Sequence, residues 1–466
     1  MSKRNLNIVL LCAGKSSRLK FNLPKVILPI NGKTLLERSL ANLRKLDPKK
    51  TIIVTGFKKD LVVDMARSCN YKNIEFANQK SQIGTGHAVK QATSLIDKNS
   101  IVLILNGDTP FVDIDTIKQS ISSYLKNNSA FTIATSFPKE VQGYGRILRD
   151  NDNQLLDIVE DKDCSSEQKL IKEVNAGLYL IDSNLLKKYI GKIKKNKNSE
   201  YYLTDLINIF VRNGLRVDSI SIKDERKFVN INTFDDYKYA HDVDKMFVYE
   251  NCIKNDIFLS DPNTFQKDFD VKISKNVYIG PNVILKGSTE IKENVRIEGS
   301  VYIDSSYIGK GSIIKPFTSI EESTIGSMTR IGPFCNLRPG NKIKDKVKIG
   351  NFVEIKKSII NKKSKISHHS YIGDTEMGTG VNIGAGTITC NYDGFDKYKT
   401  IIENDVFVGS DTMLIAPIKL GENSTTGAGS VLTSDLPPNS LGITRKKERH
   451  IKNWKKNLKS KYVRNL

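Results

Sequence analysis

The chain has 466 residues, enough for two or three domains, and its 39% hydrophobic and 27% charged residues are ordinary for a water-soluble protein. No apolar run approaches the length of a membrane span, which argues against a transmembrane protein. The net charge of +22 raises nucleic acid as a partner, but lysine is spread along the whole chain among abundant Asn and Ile, so the surplus reads as compositional drift and not as a binding patch.

The start, "MSKRNLNIVLLCAGKSSR", joins basic residues to a short apolar run that leads into a glycine turn. That pattern predicts a first β-strand and not a signal peptide. From there to about residue 234, β-rich runs ("NIVLLCA", "TIIVTG", "IVLILNG", "AFTIATS") alternate with helical patterns such as "KTLLERSLANLRKL" and "TGHAVKQATSLI". The alternation predicts an α/β domain with a mainly parallel sheet, whose ligands bind beyond the carboxyl ends of the strands. Two candidate motifs fall there. The turn after "LLCA" can offer successive backbone N–H groups to phosphate, with Arg18 and Lys25 adding charge. Asp108 in "NGDTPF" suits Mg²⁺, which takes few carboxylates together with phosphate oxygens. The plainer alternatives are a βα loop with solvated lysines and an Asx-turn.

Residues 235–255 read as one charged helix without Gly or Pro, a connector between domains. Beyond it the period becomes six. Aliphatics recur at Ile273, Ile279, Leu285, Ile291, Ile297 and Ile303. After a slip of one they resume at Ile308, Ile314 and Ile320, and again from Ile325 through Ile331, Leu337, Ile343 and Ile349 to Ile355. The period returns at Ile366, Ile372, Val408, Leu414 and Leu420. It fits neither helix nor simple strand, but does fit a hexapeptide β-helix stacking one aliphatic over another. The period fails around 388–404, so "TCNYDGFDKYKTI" is expected to loop out. "VNIGAGTITCNYDG" is bare of bulky residues, which a bound molecule or a tight turn would explain. "SHHSY" holds two of the five histidines, and a histidine is the usual base for deprotonating an amine. Alternation along a strand would face only one of them to a site. The six cysteines are scattered without a CxxC pair, as suits a reducing cytoplasm with neither disulfides nor a zinc site.

Taken together, "QIGTGHA", "GYGRI", "IVEDKD", "VNAGLY", "EYYLTD", "NLRPG", "GNFVEIKK", "NIGAGTITCNYDG" and "DVFVGSDT" resemble, in order and over nearly the whole chain, the bacterial family of bifunctional N-acetylglucosamine-1-phosphate uridylyltransferases / glucosamine-1-phosphate N-acetyltransferases. The resemblance implies a Rossmann-like nucleotidyltransferase domain at 1–234, a linker helix, and a left-handed parallel β-helix at 256–466 with a basic tail. It implies that Leu11, Cys12, Ala13, Gly14 and Lys25 hold UTP, that Gln79, Gly84 and Thr85 read the uracil, and that Asn106, Gly107 and Asp108 line the same site. Gly145, Glu160 and Asn175 would hold the amino sugar, and Asp108 with Asn232 would bind Mg²⁺. In the second domain His368 would be the base. Arg338, Lys356, Tyr371 and Asn382 would hold the sugar phosphate. Ala385, Asn391, Tyr392, Ser410, Ala428 and Arg445 would line the acetyl-CoA groove, with residues 384–394 bare because that ligand lies against the coil.

Two departures stand out. The family's Gly-Thr is Ser16–Ser17 here, and its Gly-Val-Asn is Asn230–Ile231–Asn232, where register favours Asn232 as the metal ligand. The implied partners are UTP, acetyl-CoA, glucosamine 1-phosphate and N-acetylglucosamine 1-phosphate, in a cytoplasmic homotrimer that touches neither nucleic acid nor membrane. Two other readings are weighed against this one. A β-helix serving only as a trimerisation scaffold is opposed by His368, Arg338 and Lys356 standing together. A nonenzymatic nucleic-acid binder is favoured only by residues 445–464, which carry ten Lys/Arg and a single Glu448.

Overall fold

A computed structural model describes residues 5–15, 19, 22–197, 199–444 and 446–455. The chain divides into two compact units, and the division falls between Phe247 and Val248.

The first unit is built on strands β1 (Leu6–Cys12), β2 (Lys50–Thr55), β3 (Ile74–Asn78), β4 (Ile101–Asn106), β5 (Phe131–Ser136), β6 (Arg146–Arg149), β7 (Leu155–Val159), β8 (Val174–Asp182) and β9 (Val217–Ser221). Its main sheet runs β9-β5-β8-β4-β1-β2-β3, and β6 pairs with β7 and β8 at one side. All pairs in the main path are parallel except those made by β8, which runs antiparallel between β4 and β5. The four β-rich runs read from the sequence are β1, β2, β4 and β5. Their alternate residues enter two different cores, Val9, Ile52 and Val102 on one face and Ile8, Ile53 and Leu103 on the other. Burial on both faces is why these strands read as unbroken apolar runs.

Helices α1 (Leu35–Leu43), α2 (Lys59–Ser68), α3 (Thr85–Ala92), α4 (Ile114–Asn127), α5 (Ser183–Tyr189) and α6 (Asp205–Arg212) belong to this unit. The sharp start of α1 comes from a capping box between Thr34 and Glu37. Helix α7 (Phe234–Lys254) contains the division between units. Its first turn is fixed by Asp236, whose carboxylate accepts from the Asn232 and Thr233 N–H groups at 2.9 and 2.8 Å. Strand β2 leaves β1 on one side and β4 joins it on the other, with Leu11 opposite both Val54 and Asn106. The topological switch point is therefore at the carboxyl end of β1, where a crevice opens.

The second unit is a left-handed parallel β-helix. Ile279 pairs with Ile297 and Ile291 with Ile308, so one coil is 18 residues long and the next 17. The shorter coils are the slips in the sixfold period. Except for the half-buried Ile273, the repeating aliphatics are fully buried in one continuous core. Ile360, Met377, Ile383 and Ile402 complete that core. A second internal column is polar. Ser306, Ser323, Asn341 and Ser358 are buried; Ser306, Asn341 and Ser358 each accept from the backbone N–H one coil on, and Ser323 accepts from the Asn341 side-chain amide. Several corners sit at positive φ, occupied by residues such as Asn282, Asn294 and Asp411.

Candidate functional site

Each unit brings some of its expected residues together. In the first, a cleft of about 310 Å³ at the switch point is lined by Leu11, Cys12, Ala13, Gly14, Lys25, Gln79, Gln82, Gly84, Thr85, Asn106, Asp108, Asn230 and Asn232, among others. The backbone closes tightly around it. Gly107 donates to the Leu11 carbonyl at 2.9 Å, and a Cβ on Gly107 would meet the Cys12 sulfur at 2.6 Å. Gly84 has φ of 108°, and a Cβ there would lie 2.3 Å from the Tyr201 carbonyl oxygen, so only glycine fits. Burial, with Asp108 nearby, pushes the Cys12 thiol far above its usual range, which makes it an inert part of the wall.

Lys25 is the centre of the cleft. Its ammonium donates to Asp108 Oδ2 and to Asn232 Oδ1, both at 2.7 Å. The side chains of Lys25 and Asp108 are only 15% and 18% exposed. Two oxygens from distant parts of the unit's sequence thus point at one cation. Asn230 lines the same cleft, and its Oδ1 is buried without a hydrogen-bond partner among the described residues. Tyr144 lies beside it, and burial pushes its phenol up to about 12.

The residues expected to hold a sugar form a contiguous wall. Glu160 accepts from the Thr204 hydroxyl at 3.1 Å and lies under Gly145, where a Cβ would approach its carboxylate at 3.5 Å. Asn175 donates to the Tyr179 hydroxyl at 2.7 Å, and the Asn106 amide lies over the bare Cα of Gly177. Burial raises the Glu160 carboxyl. Thr85 and Thr204 are held by the segment between them in space, since the Leu203 N–H donates to Thr85 Oγ1 at 3.0 Å.

In the β-helix, registration places residues one coil apart in columns. Asn351 pairs with His368, and the register of the adjacent pairs, carried two residues further, puts Ala385, Ser410 and Ala428 on the following coils. Backbone bonds hold the column together, from Asp411 N–H to the Ala385 carbonyl at 2.7 Å and from Gly429 N–H to the Ser410 carbonyl at 2.8 Å. His368 therefore heads a strip of small side chains. Both imidazoles of "SHHSY" are exposed, contrary to the alternation expected of a strand. The cause is a corner, since His369 sits at φ of 39°. His368 is hydrogen-bonded, Nδ1 to Asn351 Oδ1 at 3.0 Å.

A second column carries charge. Arg338, Lys356 and Gly373 follow one another in register, and Arg338 is paired with Glu354 at 3.1 Å. The neighbouring Lys397, together with partial desolvation and Arg338, lowers the Lys356 ammonium below its ordinary range. The missing side chain of Gly373 makes room for the Tyr371 hydroxyl and the Asn391 amide, which a Cβ would meet at 2.5 and 2.9 Å. Asn391 is 6% exposed and donates to Asp374 at 2.5 Å. Tyr392 is exposed and bonds back to the Gly394 carbonyl in its own loop. The structure thus brings Asn391 to the charged column and not to the small-residue strip. Asn382 begins a short strand opposite Lys365.

Two glycines of "NIGAGTITCNYDG" are required by the coil itself. A Cβ on Gly384 would lie 2.5 Å from the Ser410 N, and Gly386 turns a corner at φ of 77° beneath Asp411. The loop-out is shorter than expected, because strands resume at Ile388–Cys390 and Thr400–Ile402. Ser16, Ser17, Arg18 and Arg445 lie outside the described residues.

Residues 8–156 match the MobA-like NTP transferase domain family, and residues 399–434 match the bacterial transferase hexapeptide family, six repeats. The chain is 40% identical over 455 residues to the bifunctional protein GlmU of Francisella tularensis subsp. tularensis, covering 97% of this chain and 99% of that one. The GlmU of F. tularensis subsp. novicida matches to the same extent. The chain belongs to the bifunctional GlmU family. It is accordingly a bifunctional transferase, a uridylyltransferase in its first unit and an N-acetyltransferase in its second. Among solved structures, HddC from Yersinia pseudotuberculosis is 22% identical with a TM-score of 0.40, covering 51% of this chain and 98% of that chain.

In this GlmU-family chain several neighbours escaped the sequence reading. His87, Thr204 and Tyr179 stand behind the nucleotide and sugar residues, and Asn351, Glu354, Asp374 and Lys397 stand beside the acetyl residues. Asn351 and Glu354 each precede a chosen residue by one coil, so counting coils from His368 and Tyr371 would have found them. Lys397 lies in the looped segment, where no period points to it.

Proposed function

We propose that the first unit transfers UMP from UTP to N-acetylglucosamine 1-phosphate, and that the second transfers acetyl from acetyl-CoA to glucosamine 1-phosphate. The chain then makes UDP-N-acetylglucosamine, the precursor of peptidoglycan and lipopolysaccharide. The observation that supports the reading is that Lys25 meets Asp108 and Asn232 in one unit, and that the other carries His368 bonded to Asn351 together with Arg338, Lys356 and Lys397 near one another.

In uridylyl transfer an oxygen of the sugar phosphate attacks the α-phosphorus of UTP. The new P–O bond forms as the bond to the departing pyrophosphate breaks, so positioning and charge do most of the work. The backbone at Leu11, Cys12, Ala13 and Gly14 and the Lys25 ammonium cradle the phosphates. Gln79, Gly84 and Thr85 meet the base, and Asn106 and Gly107 shape the floor. Gly145, Glu160 and Asn175 receive the amino sugar. Asp108 and Asn232 fit Mg²⁺, since both oxygens already converge on a cation and the set is oxygen-only. When bound, Mg²⁺ would offset the negative charge of the phosphates. Lys25 supplies the chain's own part of that neutralisation.

In acetyl transfer the Asn351 carbonyl accepts from His368 Nδ1–H, which leaves the Nε2 lone pair to take a proton from the sugar amine. The nitrogen bonds to the thioester carbonyl carbon, the C–S bond breaks, and coenzyme A leaves as its thiol. Lys397 and Arg338 lower the Lys356 ammonium, a crowding of positive charge that an anion such as the sugar phosphate would relieve. Tyr371, Asn382 and Asn391 complete the sugar side, and Ala385, Ser410, Ala428, Tyr392 and Arg445 the acetyl-CoA side.

The assembly we propose is a homotrimer of β-helices. It is supported by an exposed column of Phe317, Phe334 and Phe352, whose rings stack at 4.9 and 5.2 Å on one corner. Among the described residues no helix is long and apolar enough to cross a membrane, and all six cysteines are free, which supports a cytoplasmic place. The two half-reactions test the reading separately. Pyrophosphate release from UTP and N-acetylglucosamine 1-phosphate, and free thiol release from acetyl-CoA and glucosamine 1-phosphate, are both expected. Absence of either removes that unit's assignment.

A further inference from the structure

We propose that His87 is a positioning residue for base selection: it occupies the second amide hydrogen of Gln79, so that only an acceptor is left to face the nucleotide base. The inference rests on the reading of the first unit as a uridylyltransferase.

Gln79 is 3% exposed and lines the cleft. Its Nε2 lies 3.1 Å from the Gly84 carbonyl oxygen and 3.1 Å from His87 Nδ1. A carbonyl only accepts, so the Gly84 contact settles which end of the amide is nitrogen. That carbonyl is itself fixed, because it also accepts from the Ala88 N–H at the start of α3, at 3.2 Å. With one hydrogen directed to Gly84, the other goes to His87, and His87 Nδ1 is therefore a lone pair. The ring proton of the neutral imidazole is then on Nε2. Gln91 Nε2 lies 3.2 Å from that atom and 3.4 Å from the His87 carbonyl oxygen; since a neutral imidazole cannot accept at both nitrogens, the Gln91 amide turns its oxygen to His87 Nε2 and gives up the longer carbonyl contact, while the shorter Gly84 contact keeps Gln79 in place. The ring is steadied by Tyr201, stacked at 6.2 Å and 29°, on the same segment that closes over Gly84.

Both donors of the Gln79 amide are thus consumed within the protein. What remains for a ligand is Oε1, an acceptor. Uracil offers N3–H in the middle of its pairing edge, whereas cytosine offers a lone pair at that atom. An acceptor held there favours the first and repels the second, and a site that pairs a specific polar group rejects the analogue that lacks it. If His87 could not accept, the freed N–H would be able to meet the cytosine N3, and the preference would relax.

The test is the ratio of kcat/KM for UTP to that for CTP, with N-acetylglucosamine 1-phosphate as the other substrate. Wild type, His87→Phe, His87→Asn and Gln79→Ala are compared. His87→Phe keeps a ring against Tyr201 but removes the acceptor, and the ratio is expected to fall about tenfold, the worth of roughly one hydrogen bond. His87→Asn supplies a carbonyl near the lost Nδ1 and is expected to keep the ratio within about threefold of wild type. Should His87→Phe not fold, judged by its melting transition, His87→Leu carries the same expectation. An unchanged ratio in His87→Phe, with the ratio lost in Gln79→Ala, overturns the role of His87 and leaves Gln79 as the reader of the base. An unchanged ratio in Gln79→Ala, or a wild-type preference for CTP, overturns this inference together with that assignment of Gln79. A chain that releases pyrophosphate from neither nucleotide overturns the uridylyltransferase reading itself.

Discussion

Replacing Lys25 by Met removes the ammonium that holds Asp108 and Asn232, each at 2.7 Å, while keeping most of the side chain's bulk. In the resting protein a hydrogen bond to a charged group contributes about 1.5–3 kcal/mol. The Asp108 carboxylate opens onto the cleft and can be rehydrated, so the low end applies, about 1.5 kcal/mol. For a domain of this size that lowers the melting temperature of the first unit by roughly 3–6 °C. Turnover should suffer more, because the same charge faces the phosphates when they are most negative. Loss of one such stabilising group typically costs about 3–4 kcal/mol, or 10²–10³-fold in kcat. Lys25→Arg should recover little, since a planar fork does not reproduce a compact ammonium meeting two oxygens. The assay is pyrophosphate release from UTP and N-acetylglucosamine 1-phosphate, with thiol release by the second unit measured in the same preparation. Uridylyl transfer within fivefold of wild type would refute the role of Lys25. A parallel loss of acetyl transfer in a folded chain would refute the separation of the two sites.

Three further outcomes follow from the geometry. His368→Ala should lower acetyl transfer by roughly 10²–10⁴-fold and leave uridylyl transfer near normal, while His369→Ala keeps both; the reverse pattern would move the base by one residue. Removing residues 445–466 should raise the KM for acetyl-CoA and spare uridylyl transfer, whereas loss of a tight, salt-sensitive affinity for DNA on the same deletion would favour nucleic acid as the tail's partner. Asp205→Asn should stabilise the first unit at pH 7.5 but not at pH 4: burial, with Asp157 and Asp163, pushes the Asp205 carboxyl up to about 6, so its penalty builds as pH rises from the ordinary carboxylate range to that value, is complete above it and is absent below that range.

The repeat could be read because a β-helix writes its coil length into the sequence, and Ile279, Ile297 and Ile314 fall on one internal column. The parallel sheet could be read because β1 and β4 are buried on both faces and so lack polar alternation. Motifs located Lys25, Asp108 and His368, but not what holds them. Asn232 reaches Lys25 across 207 positions of chain, a contact that no local pattern encodes. His369 defeated the alternation rule because a corner at positive φ turns its side chain out. The bare Gly384 suggested a ligand, although the neighbouring coil at Ser410 already forbids a side chain there. Sequence shows where small residues are, and only packing shows what they make room for.

The central claim is that one chain performs both transfers, and a single omission experiment tests it. Purified protein is given glucosamine 1-phosphate, acetyl-CoA, UTP and Mg²⁺, and UDP-N-acetylglucosamine is measured by mass spectrometry. The product should form with all four and vanish when any one is withheld. Supplying N-acetylglucosamine 1-phosphate should then restore it without acetyl-CoA but not without UTP. Product that still forms from glucosamine 1-phosphate without acetyl-CoA, or no product from the complete mixture, would contradict the account.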